Sequence, residues 1–414
     1  MDKKYGNNPI IRNKGVCDPH IHIFNNKAYL YASHDASPTQ SIYTMFDWHI
    51  YSSSDLVNWE LESVFKPEDT YIGKSSSCWA TDAAEKNGKF YFYYSNATTD
   101  TGVAVSNHPG KGFIDPLNKP ILPEGITKTR SYDPAVFIDD DEEKSAYIIF
   151  GTPVWANGDS YYIAKLNEDM ISLAETPRKV IVNDEADDKP SLHKHNGTYY
   201  LSWASHYATS DNVYGPYTYV GNVGSANDHG NFFEWNNQWF QSFTIYDPTI
   251  SYRATGLCYI HYKDNGEMVA DQMIMEYGVG QYEASWNKIE AEWFMACENV
   301  SKKEHPHYGF TVHGRPDGYI YFPNIHDVPE NASISFFATC VNPYGSIIEV
   351  REENASGKLL GECHIPYTNY SDWRGYRTFV CDLVNTAGDK NLCFVFKGQG
   401  EDLVHLDWFK FFKK

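Results

Sequence analysis

The chain has 414 residues, with 34 Lys and Arg against 54 Asp and Glu, for a formal net charge of −20. A balance that acidic argues against nucleic acid or an anionic membrane as the partner. Aromatic residues make up 16% and hydrophobic residues 42% of the chain, enough to build sizeable cores and too much for a disordered segment.

The first residues, MDKKYGNNPIIRNKG, carry charge with no apolar stretch behind it, so the sequence as written shows no signal peptide. The expectation is a cytoplasmic protein, or a secreted or periplasmic one whose leader has been trimmed. No apolar run approaches the ~18–20 residues of a membrane helix. Helical periodicity is scarce. Short runs rich in Tyr, Phe, Trp, Val and Ile recur between Asn, Gly, Asp and Pro turns, which predicts strands.

One module repeats: a polar turn followed by a strand of paired aromatics. It occurs as NNKAYLYASHD (25–35), NGKFYFYYS (87–95), EEKSAYIIFG (142–151), HNGTYYLSWAS (195–205) and WNNQWFQSF (235–243). The anchor aromatics Tyr29, Phe90, Tyr147, Tyr199 and Trp239 lie 40 to 61 residues apart, the spacing of four-stranded propeller blades. An acidic residue precedes each anchor: Asp18, Asp82, Asp133, Asp188 and Asp228. Equivalent positions of successive blades face one axis, so these side chains are expected to converge at one mouth of the channel. Like charges gathered there raise one another's pKa, which serves acid–base chemistry better than stability. The acidic turn Asp139–Asp141 reads as a solvated hairpin.

After about residue 270 the pattern changes. Residues 271–285 read as a linker. Short alternating strands then run from 286 to the end, among them GYIYFP, ASISFFATC, SIIEVREE, TFVCDLV, NLCFVF and HLDWFKFF, which predicts a β-sandwich. The fold expected is all-β: a five-bladed β-propeller over 1–270 followed by a jelly-roll sandwich over 286–414. The eight Cys (17, 78, 258, 297, 340, 363, 381, 393) contain no CxxC pair and suit neither a zinc site nor a disulfide framework. Buried thiols are expected, with one bridge among Cys363, Cys381 and Cys393 left open.

The first domain resembles the five-bladed propellers of glycoside hydrolase family 43. The resemblance rests on GVCDPHIHIFNNKAYLYASHD, WHIYSSSDLVNW, CWATDAAEKNGKFYFYYS, SYDPAVFIDDDEEKSAYIIFG, HNGTYYLSW and DHGNFFEWNNQWF, in that order along the chain. It implies Asp18 as general base and Asp133 as the carboxylate that tunes the acid's pKa. The family's acid is a Glu; the aligned residue here is Asp188, in NDEADDKPSLHKHNG, with Asp187 and Glu185 as neighbouring substitutes. The shorter side chain sets its carboxyl back by ~1.5 Å, one carbon–carbon bond. An inverting glycosidase needs one carboxylate to deprotonate a water and one carboxylic acid to protonate the leaving oxygen, ~6.5–9.5 Å apart. The resemblance further implies substrate contacts from Arg253, with Trp79, Asp82, His34 and Phe46 as additional candidates. It also implies a metal or water contact from His229.

The second domain resembles a family 6 carbohydrate-binding module through WNKIEAEWF, GECHIPYTNYSDWRGYRTF and LVHLDWFKFF. Glu290, Glu292 and Asp407 match the positions that hold a structural calcium there, and hard oxygen ligands suit that ion. Trp373 and Tyr319 are the candidate stacking residues; the family's cleft Asn is His405 here. The chemistry itself needs no cofactor.

Together these features predict an exo-acting inverting hydrolase. Its expected product is a terminal pentose, α-L-arabinofuranose or β-D-xylose, from polysaccharide side chains or oligosaccharides. A β-D-galactofuranosidase or exo-galactanase is a neighbouring alternative, and a sugar-binding propeller with an impaired acid is the alternative from another class. The partner expected is a glycan, with no nucleic acid, membrane or protein partner evident.

Overall fold

In the computed structural model, residues 8–37, 43–154, 158–183, 186–225, 228–246, 252–271 and 277–413 are described. The paired-aromatic modules form the second strands of five small antiparallel sheets arranged around an axis, the propeller expected from the repeats. Blade one comprises Val16–Phe24, Lys27–His34, Trp48–Ser53 and Glu60–Phe65, hydrogen-bonded in that order. Blade two has three strands among the described residues: Cys78–Lys86, Lys89–Asn96 and Asp100–Ser106. Blade three runs Ala135–Ile138, Ala146–Thr152, Ser160–Lys165 and Arg178–Val180; blade four runs Pro190–His195, Thr198–Trp203, His206–Ser210 and Thr218–Asn222. Blade five is Phe232–Trp235, Gln238–Tyr246, Arg253–Tyr262 and Met268–Ala270.

The first strand of each blade faces the axis and packs on the first strands of its neighbours. The aromatics alternate so that each sheet buries both faces against adjacent blades. Tyr31, Trp48, Phe92 and Tyr94 fill the wedge between blades one and two. Tyr93, Ile148 and Phe150 fill the next, and Tyr161, Leu201, Trp203 and Tyr217 the one after.

Each blade is built from one contiguous stretch, so no shared strand closes the ring. Closure falls to side chains between blades five and one. Asn231 donates from Nδ2 to Ile21 O (2.9 Å) and accepts from Ile21 N at Oδ1 (2.9 Å). Thr255 donates to Val16 O (2.9 Å), and Asn8, ahead of blade one, brackets Leu257 through both its amide atoms.

The C-terminal part is a ten-stranded sheet that folds over itself as a sandwich. Its spine is the long strand Gly309–Val328, which carries register shifts between Phe322 and Val328 and positive φ at Asn324 (49°) and Asp327 (54°). Those bulges bend one strand through both layers. Tyr282–Glu283, inside the stretch expected as linker, pairs in parallel with Ile325–His326. The sandwich packs on blade five: Gln238 donates to Glu292 O (2.9 Å) and Phe294 O (2.8 Å), and the half-buried Lys302 donates to Gln238 Oε1 (2.6 Å). One apolar cluster runs unbroken from Phe240 and Tyr259 of blade five to Phe322, Phe394 and Phe409 of the sandwich. All eight cysteines are free, so no bridge forms among Cys363, Cys381 and Cys393.

Candidate active site

Three of the five inner strands carry a short turn with a proline at the head, and these turns share one device. Asp18 (φ 50°), Asp133 (φ 52°) and Lys189 (φ 61°) each adopt a left-handed backbone immediately before Pro19, Pro134 and Pro190. A non-glycine residue there costs roughly 1–2 kcal/mol. The neighbouring blade holds each one in place. Asp18 N donates to Thr244 Oγ1 (2.8 Å), Asp133 N to Ser95 Oγ (3.0 Å) and Lys189 N to Asp133 Oδ2 (3.1 Å). This strain turns the side chains into the channel mouth, where backbone outliers concentrate at functional sites. Gly230 serves the fifth blade differently: a Cβ there would sit 1.8 Å from Ser242 O, so only glycine lets His229 approach the axis.

The result is a cavity of about 560 Å³ lined by Asp18, Asp133, Asp187, Asp188 and Asp228 with Arg253, Lys189 and His229 among them. Arg253 is buried and grips Asp35 with two donors, Nε to Oδ2 (3.0 Å) and Nη2 to Oδ1 (3.0 Å), while Nη1 reaches Asp18 Oδ1 (2.8 Å). His229 lies between two carboxylates, Nδ1 3.2 Å from Asp18 Oδ1 and Nε2 3.2 Å from Asp133 Oδ2. Burial disfavours the imidazolium, but Asp133 and Asp18 outweigh it and raise the His229 pKa well above its ordinary value.

These neighbours separate the acids. Burial pushes Asp18 up, yet Arg253 and then His229 more than reverse it and hold its carboxyl well below the usual range. Asp188 moves the other way: burial and then the Asp133 charge raise it, with Lys189 and His229 offsetting part of the rise. Lys189 Nζ contacts Asp188 Oδ1 and lies 3.0 Å from Asp187 Oδ2, and Tyr132 OH donates to Asp188 Oδ2 (3.3 Å). Two carboxylates whose environments push them apart are what an acid–base pair requires.

Of the residues singled out from sequence, Asp18, Asp133, Asp188, Asp187, Trp79, Arg253 and His229 line this cavity. Trp79 stands at its rim beside Tyr43, whose carbonyl accepts its indole N–H (3.2 Å). Both ring nitrogens of His229 face carboxylates, and Asp18, Asp228 and His229 offer ligand atoms within 4.8 Å of one another. Glu185 lies outside the described residues.

Three expectations fail. Asp82 does not join the ring of acids or the substrate pocket. A bulge between Trp79 and Thr81 puts Trp79 and Ala80 at the pocket, so Asp82 lies further along the strand with His20 and His22. His34 is outside the cavity lining, bonded to Asp47 Oδ1 (2.7 Å) and stacked on His49 at 4.0 Å. Phe46 is 49% exposed and outside the cavity lining, while its neighbour Met45 lines it.

Sequence reasoning missed Lys189, Tyr132, Tyr43 and Asp35. The first two adjoin recognised acids, which was the only available signal; Asp35 stands 218 residues from the Arg253 it binds.

In the sandwich, Trp373 stands near His307 at the tip of the hairpin, with ring centroids 6.3 Å apart, while Tyr319 pairs with Glu298 near its base. Seven residues of strand separate Glu298 from His305, roughly 20 Å at strand rise, so the two aromatics do not share one cleft. His405 stacks on His313 at 3.5 Å. Glu290 Oε2, Glu292 Oε2 and Asp407 Oδ1 are buried without a hydrogen-bond partner among the described residues. Burial raises all three carboxyls, Asp407 to about 7. Orphaned hard oxygens in that state fit a calcium ion.

A propeller whose axial pocket holds acids of opposite protonation tendency defines a glycoside hydrolase. Residues 6–239 match the family model for glycosyl hydrolases family 43, and residues 290–413 match that for carbohydrate binding module (family 6). The chain belongs to glycosyl hydrolases family 43. It is 30% identical over 318 residues to a xylosidase/arabinosidase of Bacteroides ovatus, covering 61% of this chain and 94% of that one. It is 26% identical to an arabinoxylan arabinofuranohydrolase of Bacillus subtilis (strain 168), covering 99% of this chain and 93% of that one. Among solved structures, a GH43_1 enzyme from Xanthomonas citri complexed with xylose superposes with a TM-score of 0.57 at 25% identity, over 64% of this chain and 93% of that one.

Proposed function

We propose that the protein is an exo-acting, inverting glycosidase that releases a terminal pentose, α-L-arabinofuranose or β-D-xylose, from polysaccharide side chains or oligosaccharides. The observation that carries this reading is the opposed pair in one cavity: Asp18 held ionised by Arg253 and His229, Asp188 pushed up by burial and Asp133. The names of the relatives, xylosidase/arabinosidase and arabinoxylan arabinofuranohydrolase, support the pentose. A cavity of about 560 Å³ at the end of a channel suits one sugar ring and the first atoms of its aglycone.

In this mechanism Asp18 accepts a proton from a water as that water bonds to the anomeric carbon. Asp188 donates its proton to the departing glycosidic oxygen, so the anomeric configuration inverts. Asp18 is a weak base in the resting site, but the water's acidity rises as its new bond forms. Asp133 keeps Asp188 protonated by like charge and fixes Lys189 N. Trp79 offers a stacking face at the rim, and Arg253 orients Asp18. Glu290, Glu292 and Asp407 hold a structural calcium in the sandwich, remote from the chemistry.

A second reading, a sugar-binding propeller with an impaired acid, is favoured by one contact: Lys189 Nζ on Asp188, which stabilises the ionised form of the residue that must be protonated. Hydrolysis of a p-nitrophenyl furanoside and pyranoside panel by wild type, Asp18→Ala and Asp188→Ala separates them. The enzyme cleaves one substrate and loses it in Asp18→Ala. Asp188→Ala loses natural glycan while keeping the activated leaving group, which needs little proton donation. No cleavage by wild type, with binding retained on a glycan array, leaves the second reading.

A further inference from the structure

The opposite mouth of the propeller channel holds a cluster that the hydrolytic chemistry does not use. His20 and His22 are two apart on the innermost strand of blade one, so their side chains fall on one face. Asp82, from the innermost strand of blade two, stands against both: its Oδ1 is 2.9 Å from His20 Nδ1 and 2.5 Å from His22 Nε2. His20 is 4% and Asp82 2% exposed. One ligand atom from each of the three lies within 4.8 Å of the other two.

Hydrogen bonding alone does not account for this arrangement. Asp82 Oδ1 accepts from Ala83 N (2.8 Å) and stands 2.5 Å from His22 Nε2, which occupies both its lone pairs and leaves none for His20. His20 Nδ1 is buried 2.9 Å from that oxygen yet makes no hydrogen bond of acceptable geometry among the described residues. A cation among the three would give the orphaned nitrogen a partner. Tetrahedral bonds of ~2.0–2.2 Å hold ligand atoms about 3.4 Å apart, so the imidazoles, now 2.9 and 2.5 Å from Asp82 Oδ1, need move apart from it by less than about 1 Å to admit the ion.

The supporting shell is also present. Asp82 Oδ2 accepts from Val136 N of blade three (2.6 Å), which fixes the carboxylate, and the His22 ring stacks on Phe24 at 5.7 Å. A cavity of about 410 Å³ opens beside the cluster, giving access for an ion and room for water as the remaining ligands.

We propose that His20, His22 and Asp82 bind one divalent transition-metal ion of the zinc class at the channel mouth opposite the carboxylate pocket. Two imidazoles and one carboxylate suit zinc, cobalt or nickel; a calcium site would be built of oxygen. The ion ties blade one to blade two and, through Val136, to blade three. Its role is to hold the ring, not to take part in hydrolysis.

The test uses the full chain stripped with chelator and given one equivalent of Zn2+. Crystals of the wild type measured at the zinc edge should show an anomalous peak between His20 Nδ1, His22 Nε2 and Asp82 Oδ1. Zinc titration against a chromophoric chelator should show the His22→Gln variant binding one equivalent fewer, with the zinc-induced rise in Tm gone and p-nitrophenyl glycoside hydrolysis in chelator unchanged from wild type. The inference is overturned if the peak appears only at the other histidine clusters, His34–Asp47–His49 or His313–Asp402–His405, or if His22→Gln binds as much zinc as wild type. Should His22→Gln fail to fold, the wild-type map alone decides. Because hydrolysis is read separately, loss of this site and failure of the glycosidase reading give different results.

Discussion

The molecule holds two trios of buried or half-buried carboxylates, and they are balanced in opposite ways. In the propeller, Asp18, Asp133 and Asp188 are accompanied by the chain's own cations: Arg253, His229 and Lys189. In the sandwich, Glu290, Glu292 and Asp407 have one lysine, Lys288 on Glu290, and each keeps an oxygen without a partner among the described residues. A carboxylate removed from water is tolerated only when it is paired or neutralised. In the first trio the chain's own cations keep Asp18 ionised while burial and Asp133 push Asp188 towards its protonated form, and the second trio either takes up protons or takes up a cation. Similar residue types thus meet opposite electrostatic surroundings in the two domains: cations supplied by the chain in one, orphaned oxygens in the other.

The largest effect comes from removing the charge that the propeller protects. Asp18→Asn should lower kcat/KM by about 10²–10⁴-fold, the usual contribution of a general base, while the fold persists. Circular dichroism beside the kinetics checks both; activity within tenfold of wild type would remove Asp18 from the role of base.

Next is the cation itself. Arg253→Met leaves Asp18 and Asp35 buried without their partner, which costs about 3–5 kcal/mol for a broken buried pair. Thermal unfolding should move down by roughly 10 °C, whereas Lys288→Met in the sandwich should move it by a small fraction of that.

The sandwich trio should respond to calcium where the propeller trio does not. A hundredfold excess of Ca2+ over its dissociation constant stabilises the folded chain by about 2–3 kcal/mol. Chelator removes the gain, and Asp407→Asn abolishes it. An unchanged Tm with and without Ca2+ would show that protons, not calcium, neutralise the cluster.

Asp18 and the sandwich trio should also answer to pH with opposite signs. Asp18 has a folded pKa below its unfolded value of about 4, so its stabilisation is present above pH 4 and lost as the pH falls. Asp407, Glu290 and Glu292 have folded pKa values above their unfolded ones, so in chelator the folded state binds extra protons. Their contribution is present below about pH 4 and lost as the pH rises to about 7, the value Asp407 reaches. Denaturant midpoints of wild type and Asp407→Asn between pH 4 and 8 would show whether that slope belongs to the sandwich. The smallest effect is expected from His34→Gln and Phe46→Ala, which sit outside the pocket and should leave kcat/KM within about twofold, the range of surface substitutions.

Much of this was legible in the sequence because the propeller is a repeat. Aromatic anchors at blade spacing located the strands, and Asp-Pro at two strand heads marked the turns that present Asp18 and Asp133. The failures share a cause. A bulge of one residue decides whether an acid at the head of a strand meets the pocket or passes it, and the Trp79–Thr81 bulge that diverts Asp82 leaves no mark in composition. Phe46 and His34 were picked by proximity to motifs, and proximity along a chain does not say which face a side chain takes. Asp35 and Arg253 meet only because a ring closes, so neither residue advertised the other.

That ring closure has a consequence for the order of events during synthesis. Asp18 and Arg253 are 235 residues apart, and no strand is shared to draw the ends together early. At ordinary elongation rates of ~5–20 residues per second, Asp18 emerges roughly 10–50 s before its counter-ion exists. Throughout that interval the first blades have their aromatic wedges but no reason to hold a charged aspartate in a left-handed turn. The pocket is therefore a late product of folding, assembled when the last blade docks, and a chain truncated before Arg253 would have four blades and no site.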